Sequence, residues 1–252
     1  MNIYKFICVS LCLAVAWSLF LGCESYDYEK KYSKERPVNR TSDENVRKGT
    51  GSSRKLDINQ VAQSVVQIIA RFDDSDLGSS GSGSVIGPNH VLTNYHVINK
   101  DGEISGHIEI WFANPDLSKP PQQYLAGSVV KHDVDSDLAI IVTASKIPRN
   151  SIEFASDQLP MPGNQLTIIG FPSLGSNTIT ITQGIVSGFV TSGSIDLIKT
   201  DTEINRGNSG GVAVDANNRI VGVPTAVYVD RDLAGRLGLI VPAKYCRKLI
   251  RE

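Results

Sequence analysis

The sequence predicts an all-β protein made of two packed antiparallel barrels, and two observations support this fold class. First, from Leu56 onward, short runs rich in Val, Ile, Thr and aromatic residues alternate with Gly, Pro, Asn and Asp, a pattern typical of short strands joined by turns. Second, about thirteen such runs follow one another without a substantial α-helix, which is more than one small barrel uses. We expect a division near residues 150–160, with barrels over about residues 64–155 and 156–241. A single large sandwich is the alternative.

The N-terminal residues 1–22 have the pattern of a lipoprotein signal peptide. Lys5 precedes the uncharged apolar run Phe6–Leu21, which is shorter than the ~20 residues that a membrane-spanning helix needs and suits a secretory signal. The run leads into Gly22 and Cys23, which resemble a bacterial lipoprotein cleavage box. We therefore expect Cys23 to be the lipid attachment site and the chain to be held at the bacterial cell envelope, on its periplasmic or cell-surface side. The alternatives are an ordinary signal peptide and an uncleaved anchor.

Residues 23–55 predict a disordered membrane tether, because they are polar, charged and without a period of 2 or 3.6. The folded body is expected over residues 56–252. Lys and Arg number 25 against 26 Asp and Glu, so no basic face favours nucleic acid as a partner. The four cysteines and four histidines show no metal-ligand spacing, and we expect no metal and no cofactor.

Within the body, a short helix through Gln63 capped by Asp57 comes first, and a helix over Pro242–Arg251, with Pro at its start, closes the chain. The predicted strands between these helices are Val65–Phe72, Ser84–Ile86, His90–Thr93, His107–Phe112, Gly127–Lys131, Leu138–Thr143, Gln165–Ile169, Thr178–Thr182, Gly184–Val190, Ile195–Thr200, Val212–Val214, Ile220–Val223 and Leu239–Val241.

The stretch Asn205–Gly211 places one serine, Ser209, among three glycines between two predicted strands. Glycine tolerates backbone angles that other residues avoid and lets another chain approach closely. A serine nucleophile needs such a loop, because its hydroxyl must protrude while backbone N–H groups point at the place where an oxyanion forms. Taken alone, the stretch is better explained as a Gly-rich turn, since short motifs match by chance.

A histidine and a carboxylate precede this serine at strand boundaries. His96 follows the predicted strand His90–Thr93, and Asp137 immediately precedes Leu138–Thr143. A structural histidine and a polar turn are the alternatives for each residue alone. An aspartate there can accept a hydrogen bond from the imidazole, fix its tautomer and stabilise the imidazolium. The order His, Asp, Ser is that of chymotrypsin-type enzymes, and together the three signals predict a catalytic triad.

The chain resembles trypsin-like serine proteases of the HtrA (Deg) family over Leu56 to about Ile250. The matching stretches are Gly81–Gly83, Thr93–Val97, Ser136–Ala139, Ile169–Pro172, Gln183–Ser187 and Asn205–Gly211. The resemblance implies a double barrel of two six-stranded sheets with the site between them. It also implies His96 as base, Asp137 as orienting acid and Ser209 as nucleophile, with the amides of Gly207 and Ser209 forming the oxyanion hole.

By the same resemblance the partners are polypeptide substrates, and a homotrimer is expected. An extended substrate would pair with the strand near Thr225, Ala226 and Val227, and Asn205 is also expected to bind the substrate. Glu203 lies six residues before the nucleophile, so it either lines an acidic specificity pocket that selects Lys or Arg, or turns outward.

We expect a single protease domain without the PDZ domain common in the family, acting as a membrane-tethered endopeptidase on unfolded or exposed proteins. The alternatives are a protease-fold binding or chaperone module with little turnover, and a secreted protease of the glutamyl endopeptidase kind.

Overall fold

A computed structural model describes residues 57–72, 75–172, 177–230 and 235–252. The expected signal peptide, the lipid attachment site at Cys23 and the tether lie outside the described residues. In chain order the elements are α1 (Ile58–Gln63), β1 (Val65–Phe72), β2 (Ser75–Val85), β3 (His90–Thr93), α2 (Tyr95–Ile98), β4 (Asn99–Lys100), β5 (Glu103–Ile104), β6 (His107–Phe112), β7 (Tyr124–Asp133), β8 (Leu138–Thr143), β9 (Gln165–Gly170), β10 (Thr180–Ser192), β11 (Ile195–Thr200), β12 (Val212–Val214), β13 (Ile220–Asp230), β14 (Gly235–Pro242) and α3 (Ala243–Arg251).

Twelve of these strands form two closed antiparallel barrels of six strands each. The first has the order β1-β2-β3-β8-β7-β6 and the second β10-β11-β14-β13-β12-β9. β4 and β5 form a separate two-stranded hairpin. The predicted double barrel is therefore confirmed, and the single-sandwich alternative is wrong because each sheet closes on itself.

Both helices at the ends of the body form where the sequence predicts them. Asp57 caps α1: its side chain accepts from the amide of Gln60 at 2.8 Å, while its own amide donates to the Gln60 side chain at 3.1 Å. This reciprocal pair satisfies two amides that the helix leaves free. Pro242 stands at the N-cap of α3 rather than inside it, since its backbone is still extended there.

Five strands, β2, β7, β10, β13 and β14, are clearly longer than predicted, and β10 joins two predicted strands into one. In β2 and β10, glycine allows close packing where the sequence suggests a turn. β2 runs through Gly81 and Gly83, where an added Cβ would lie within 3 Å of the side chains of Val97 and Val91. β10 continues through Gly184, which stays paired with Leu166 in β9. The absence of a side chain at these positions therefore permits close packing of neighbouring side chains and leaves the ladder intact.

Apolar clusters join the two barrels as well as filling them. One cluster packs Val61 and Val65 from α1 and β1 against Ile169, Phe171 and other residues of the second barrel. Another packs Leu138 and Ile140 of β8 against Val223, Val241 and Leu249. The two barrels are thus held together by buried apolar surface, which is the main favourable contribution to folding.

The helix α3 lies across this second cluster. Its buried residues are Ala243, Cys246 and Leu249, and the Lys131 ammonium of β7 donates to the carbonyls of Leu249 at 3.4 Å and Ile250 at 3.2 Å. A cation at the C-terminal end of a helix also complements the helix dipole. None of the helices in the described ranges is long and apolar enough to cross a membrane.

Candidate active site

His96 is placed by the one-turn helix α2, which follows directly after β3. Val97 and Ile98 of this turn are buried in the core of the first barrel, so the imidazole is left on the outer side, with 48% of the side chain exposed. The turn is tied to the β7–β8 connection, because the amide of Tyr95 and the side-chain amide of Asn94 both donate to the carbonyl of Asp137, at 3.1 and 2.7 Å.

Asp137 ends the tight turn between β7 and β8 and has a left-handed backbone, with φ of 53°. The turn is stabilised by its own polar groups: the hydroxyl of Ser136 donates to the Asp133 carboxylate at 2.6 Å, and the amide of Asp137 donates to the carbonyl of Val134 at 3.2 Å. A non-glycine residue in this conformation stores strain that the surrounding contacts must offset. Asp133 therefore has a structural role in the turn.

The Asp137 carboxylate holds both the ring and the backbone of His96. Its Oδ2 accepts from His96 Nδ1 at 2.7 Å and its Oδ1 from the His96 amide at 2.9 Å. With Nδ1–H bound to a carboxylate, the neutral imidazole keeps its lone pair on Nε2, the tautomer that a general base requires.

The loop Asn205–Gly211 brings Ser209 to the same place from the second barrel. Two successive turns shape it, in which the amide of Asn208 donates to the carbonyl of Asn205 and that of Gly211 to the carbonyl of Asn208, both at 3.0 Å. Gly210 has φ of 81°, and an added Cβ there would lie 2.2 Å from the Ser82 carbonyl oxygen. Only glycine fits this position.

Thr225 of β13 links the serine to the histidine–aspartate pair. Its carbonyl accepts from the Ser209 hydroxyl at 3.2 Å, and its own hydroxyl donates to Asp137 Oδ2 at 2.5 Å. The Ser209 hydroxyl thus donates to a main-chain carbonyl in this structure. Ser209 and Asp137 both bind Thr225, and His96 is joined to this group through Asp137.

Three backbone amides of the serine loop, those of Asn208, Gly210 and Gly211, each have an acceptor in the loop or in β13. The other four amides of the loop, those of Asn205, Arg206, Gly207 and Ser209, have no hydrogen-bond acceptor within the described ranges. These four include the two donors that the family resemblance assigns to an oxyanion hole, Gly207 and Ser209. The Asn208 side chain is buried, yet its Oδ1 has no partner in the described part of the chain; Asn208 shapes the loop through its main chain.

The remaining predicted residues lie around this site. The Glu203 side chain is exposed, and its Oε1 accepts from the side-chain amide of Asn205 at 3.0 Å. Ala226 and Val227 pair with Leu239 and Gly238 of β14. From Pro224 onward, no strand in the described residues pairs with the opposite edge of β13.

Sequence reasoning missed two contributors. The sequence predicts Thr225 as part of a substrate-binding strand but not as a partner of Asp137, and it predicts no role for Ser82 beyond its place in the stretch Gly81–Gly83. The one available signal for Ser82 was its position between two glycines, Gly81 and Gly83. The described residues contain no group of three or more His, Cys, Asp and Glu side chains arranged to hold a metal.

Comparison with protein-family models matches residues 81–223 to the trypsin-like peptidase domain. The chain belongs to this family. Its predicted resemblance to HtrA-type members is confirmed by relatives such as a probable periplasmic DegP-like serine endoprotease of Rickettsia conorii. That relative is 29% identical over 180 residues, covering 68% of this chain and 33% of the relative. A Do-like protease of Arabidopsis thaliana chloroplasts is 32% identical over 171 residues, 65% of this chain and 26% of the relative.

Solved trypsin-like peptidases have the same fold. A serine endoprotease from Yersinia pestis superposes with a TM-score of 0.61 at 26% identity, covering 77% of this chain and 64% of that one. The active form of a protease from M. tuberculosis gives a TM-score of 0.65 at 22% identity, covering 77% and 82% of the two chains. The chain spans about a third of the length of the DegP-like relative.

Proposed function

We propose that this chain is a serine endopeptidase that cleaves unfolded or exposed proteins through His96, Asp137 and Ser209. The observation that carries the proposal is the convergence on Thr225: one residue binds both the nucleophile and the carboxylate that orients the base. Family membership and the HtrA-type relatives support the reaction class.

In the proposed reaction, Ser209 Oγ attacks the carbonyl carbon of a peptide bond while His96 Nε2 takes its proton. The bond to the leaving amine then breaks as the imidazolium returns that proton, leaving an acyl-enzyme. Water activated by His96 releases the acyl group. Asp137 stabilises the imidazolium throughout, and the amides of Gly207 and Ser209 bind the oxyanion, each such donor contributing ~3 kcal/mol to the lowered barrier.

The substrate would bind as an additional strand. The edge of β13 from Thr225 to Val227 is unpaired on one side within the described residues, and it begins beside the Ser209 hydroxyl. An extended peptide can pair with such an edge through its main chain, which gives affinity without a strict sequence requirement. This mode suits unfolded or exposed segments.

The position of Glu203 indicates which substrate residue is preferred immediately before the cleaved bond. Its carboxylate is exposed and bound by Asn205, which supports the outward alternative over an acidic pocket. We therefore infer a preference for small apolar residues rather than Lys or Arg.

The test of the proposal compares casein digestion and labelling by a fluorophosphonate probe in three proteins: the wild type, Ser209→Ala and Ser187→Ala. Ser187 is an exposed serine of β10 and serves as the matched control. The wild type and the control should digest casein and take the label, and Ser209→Ala should do neither. A wild type that binds unfolded protein but shows no turnover and no label would instead support the binding-module alternative.

We also propose that the protein is tethered to the bacterial envelope by lipidated Cys23, as the sequence of its first 23 residues and the periplasmic relatives suggest. Mass analysis of the mature N-terminus tests this, since an unmodified Cys23 or cleavage elsewhere would contradict it. The homotrimer expected from the family resemblance stays a prediction, which light scattering of the purified chain would check.

A further inference from the structure

We propose that Ser82 is a positioning residue for the oxyanion hole, which it holds in place from the opposite barrel. The inference rests on the proposed function but concerns a residue with no assigned role. Ser82 lies in β2 of the first barrel, whereas Gly207 and Ser209 belong to a loop of the second.

Ser82 contacts both residues of the predicted oxyanion hole. Its Oγ donates to the carbonyl of Gly207 at 2.6 Å, and its amide donates to the carbonyl of Ser209 at 2.8 Å. One residue of the first barrel thus holds the carbonyls on either side of Asn208.

The direction of the side-chain bond follows from its other partner. The amide of Phe171 donates to Ser82 Oγ at 2.8 Å. Since an amide can only donate, the hydroxyl accepts there and its own proton goes to the Gly207 carbonyl. Ser82 is fully buried, and burial makes a hydrogen bond of this kind costly to lose.

Gly207 is the residue that most needs such an anchor. Its φ is 97°, in the region favoured by glycine, and it has no side chain to limit rotation of its backbone. Fixing its carbonyl restricts its ψ and thereby the direction of its own N–H relative to that of Ser209. An oxyanion hole acts through donors that are aimed before the reaction begins.

The position of Ser82 is itself fixed by its neighbours. Its carbonyl accepts from the hydroxyl of Thr93 at 2.7 Å, and Thr93 stands three residues before His96. An added Cβ at Gly170 would lie 3.0 Å from Ser82 Oγ and 2.9 Å from Asn208 Cα, so the hydroxyl occupies a closely packed site between the barrels.

The competing explanation is that Ser82 merely satisfies buried backbone groups and has no effect on the chemistry. Ser84 provides a matched control, because it lies on the same face of β2, is equally buried and has an Oγ without a hydrogen-bond partner among the described residues. Ser82→Ala and Ser84→Ala therefore remove the same atom from the same strand. Only Ser82→Ala also removes the hydrogen bond to the Gly207 carbonyl.

The experiment measures kcat and KM on a peptide substrate, together with inhibition by a peptide aldehyde and by the matching peptide alcohol. The aldehyde forms a hemiacetal that uses the oxyanion hole, whereas the alcohol has no carbonyl and binds through its main chain and side chains. For Ser82→Ala we expect kcat to fall about 10- to 100-fold and the aldehyde inhibition constant to rise by a similar factor. KM and the alcohol inhibition constant should stay within about twofold, and Ser84→Ala should resemble the wild type.

If Ser82→Ala does not fold, Ser82→Cys is the second variant, because its thiol fills the same space and is a weaker donor. It should lower kcat and raise the aldehyde inhibition constant by smaller factors than Ser82→Ala. A folded variant at position 82 with wild-type kcat overturns the inference. So does a loss of aldehyde affinity that the peptide alcohol matches, because that would show a general loss of binding. A wild type that neither cleaves peptide nor takes the fluorophosphonate label contradicts the proposed function as well, whereas an active wild type with an equally active Ser82→Ala contradicts this inference alone.

Discussion

Thr225 serves the site through two different groups, and they can be separated by substitution. Its carbonyl belongs to the main chain, whereas its hydroxyl donates to Asp137. Thr225→Val keeps the β-branched shape and the carbonyl but removes the donor. We expect kcat/KM to fall about tenfold, because a charge-assisted hydrogen bond contributes ~1.5–3 kcal/mol and its loss leaves Asp137 and His96 less firmly held.

Thr191→Val is the control for this change, since the Thr191 hydroxyl also lies 3.0 Å from an aspartate, Asp196, but in the hairpin between β10 and β11. Steady-state kinetics of the two variants should differ. Equal activity in both would show that the Thr225 hydroxyl does not support the triad.

Replacing Glu203 should not change which substrate residue is preferred before the cleaved bond. Because the carboxylate is exposed and bound by Asn205, Glu203→Gln should leave the ratio of cleavage after Val to cleavage after Arg within about twofold of the wild type. Peptide profiling of both proteins measures this ratio. A marked loss of cleavage after Arg in the variant would restore the acidic-pocket alternative.

At the scale of single residues, the sequence predicts the candidate triad but not the side chains that hold it in place. His96, Asp137 and Ser209 follow from chain order and strand boundaries, because each residue type is required by the reaction. The supporting hydroxyls do not follow, since Ser82 binds a carbonyl 125 residues away and Thr225 a carboxylate 88 residues away. Such pairings depend on how the barrels pack, which no local pattern shows.

On β6, the outward-facing residues surround one buried carboxylate. Glu109 accepts hydrogen bonds from Trp111 Nε1 at 2.9 Å, from Arg71 Nε at 3.3 Å and from His107 Nε2 at 3.3 Å. Burial alone would raise the pKa of Glu109, but the hydrogen bonds from Trp111, Arg71 and His107 outweigh it and lower the pKa below the usual value. The ionised form is therefore favoured by the fold.

This environment predicts a pH-dependent contribution to stability. Because the folded pKa lies below that of the unfolded chain, the contribution is full above the unfolded value, near ~4.3, and is lost as the pH falls through the folded pKa. Glu109→Gln should lower the free energy of unfolding by about 1–3 kcal/mol at neutral pH, with the difference shrinking in acid. Urea unfolding at several pH values measures it.

Glu103→Gln in β5 is the comparison, because that glutamate is exposed and its carboxylate has no hydrogen bond in the described part of the chain. It should change the free energy of unfolding little at any pH. A Glu109→Gln deficit that did not depend on pH would contradict the electrostatic explanation.

Element boundaries were predictable where apolar runs end in turn residues, as at β1, β6 and β8. They were not predictable where glycine lies inside a strand. Gly184 suggests a break, yet the ladder to β9 continues through it. Glycine is needed at this position because the side chains of Asp201 and Thr202 occupy the space where a Cβ would stand. Glycine can end a strand at a turn or allow close packing within a continuous strand, and the sequence alone does not distinguish these two cases.

For the molecule as a whole, α3 and the apolar cluster it covers hold the two barrels together. Leu249 is buried against residues of both barrels, whereas the adjacent Ile250 is 38% exposed. We expect Leu249→Ala to lower the free energy of unfolding by about 2–4 kcal/mol. Ile250→Ala should cost no more than about 0.5 kcal/mol. Chemical unfolding followed by tryptophan fluorescence compares them, and equal losses would show that α3 does not bridge the barrels.

The same helix hides the thiol of Cys246, which has no exposed surface and a pKa raised to about 12 by burial. Because the thiolate is the reactive form, a maleimide should react very slowly with Cys246 at neutral pH while α3 stays in place. In a chain whose other three cysteines are replaced by serine, the rate of alkylation would measure how often the C-terminal helix detaches from the barrels. The buried thiol, which takes no part in the proposed reaction, would thus report on the opening of the molecule.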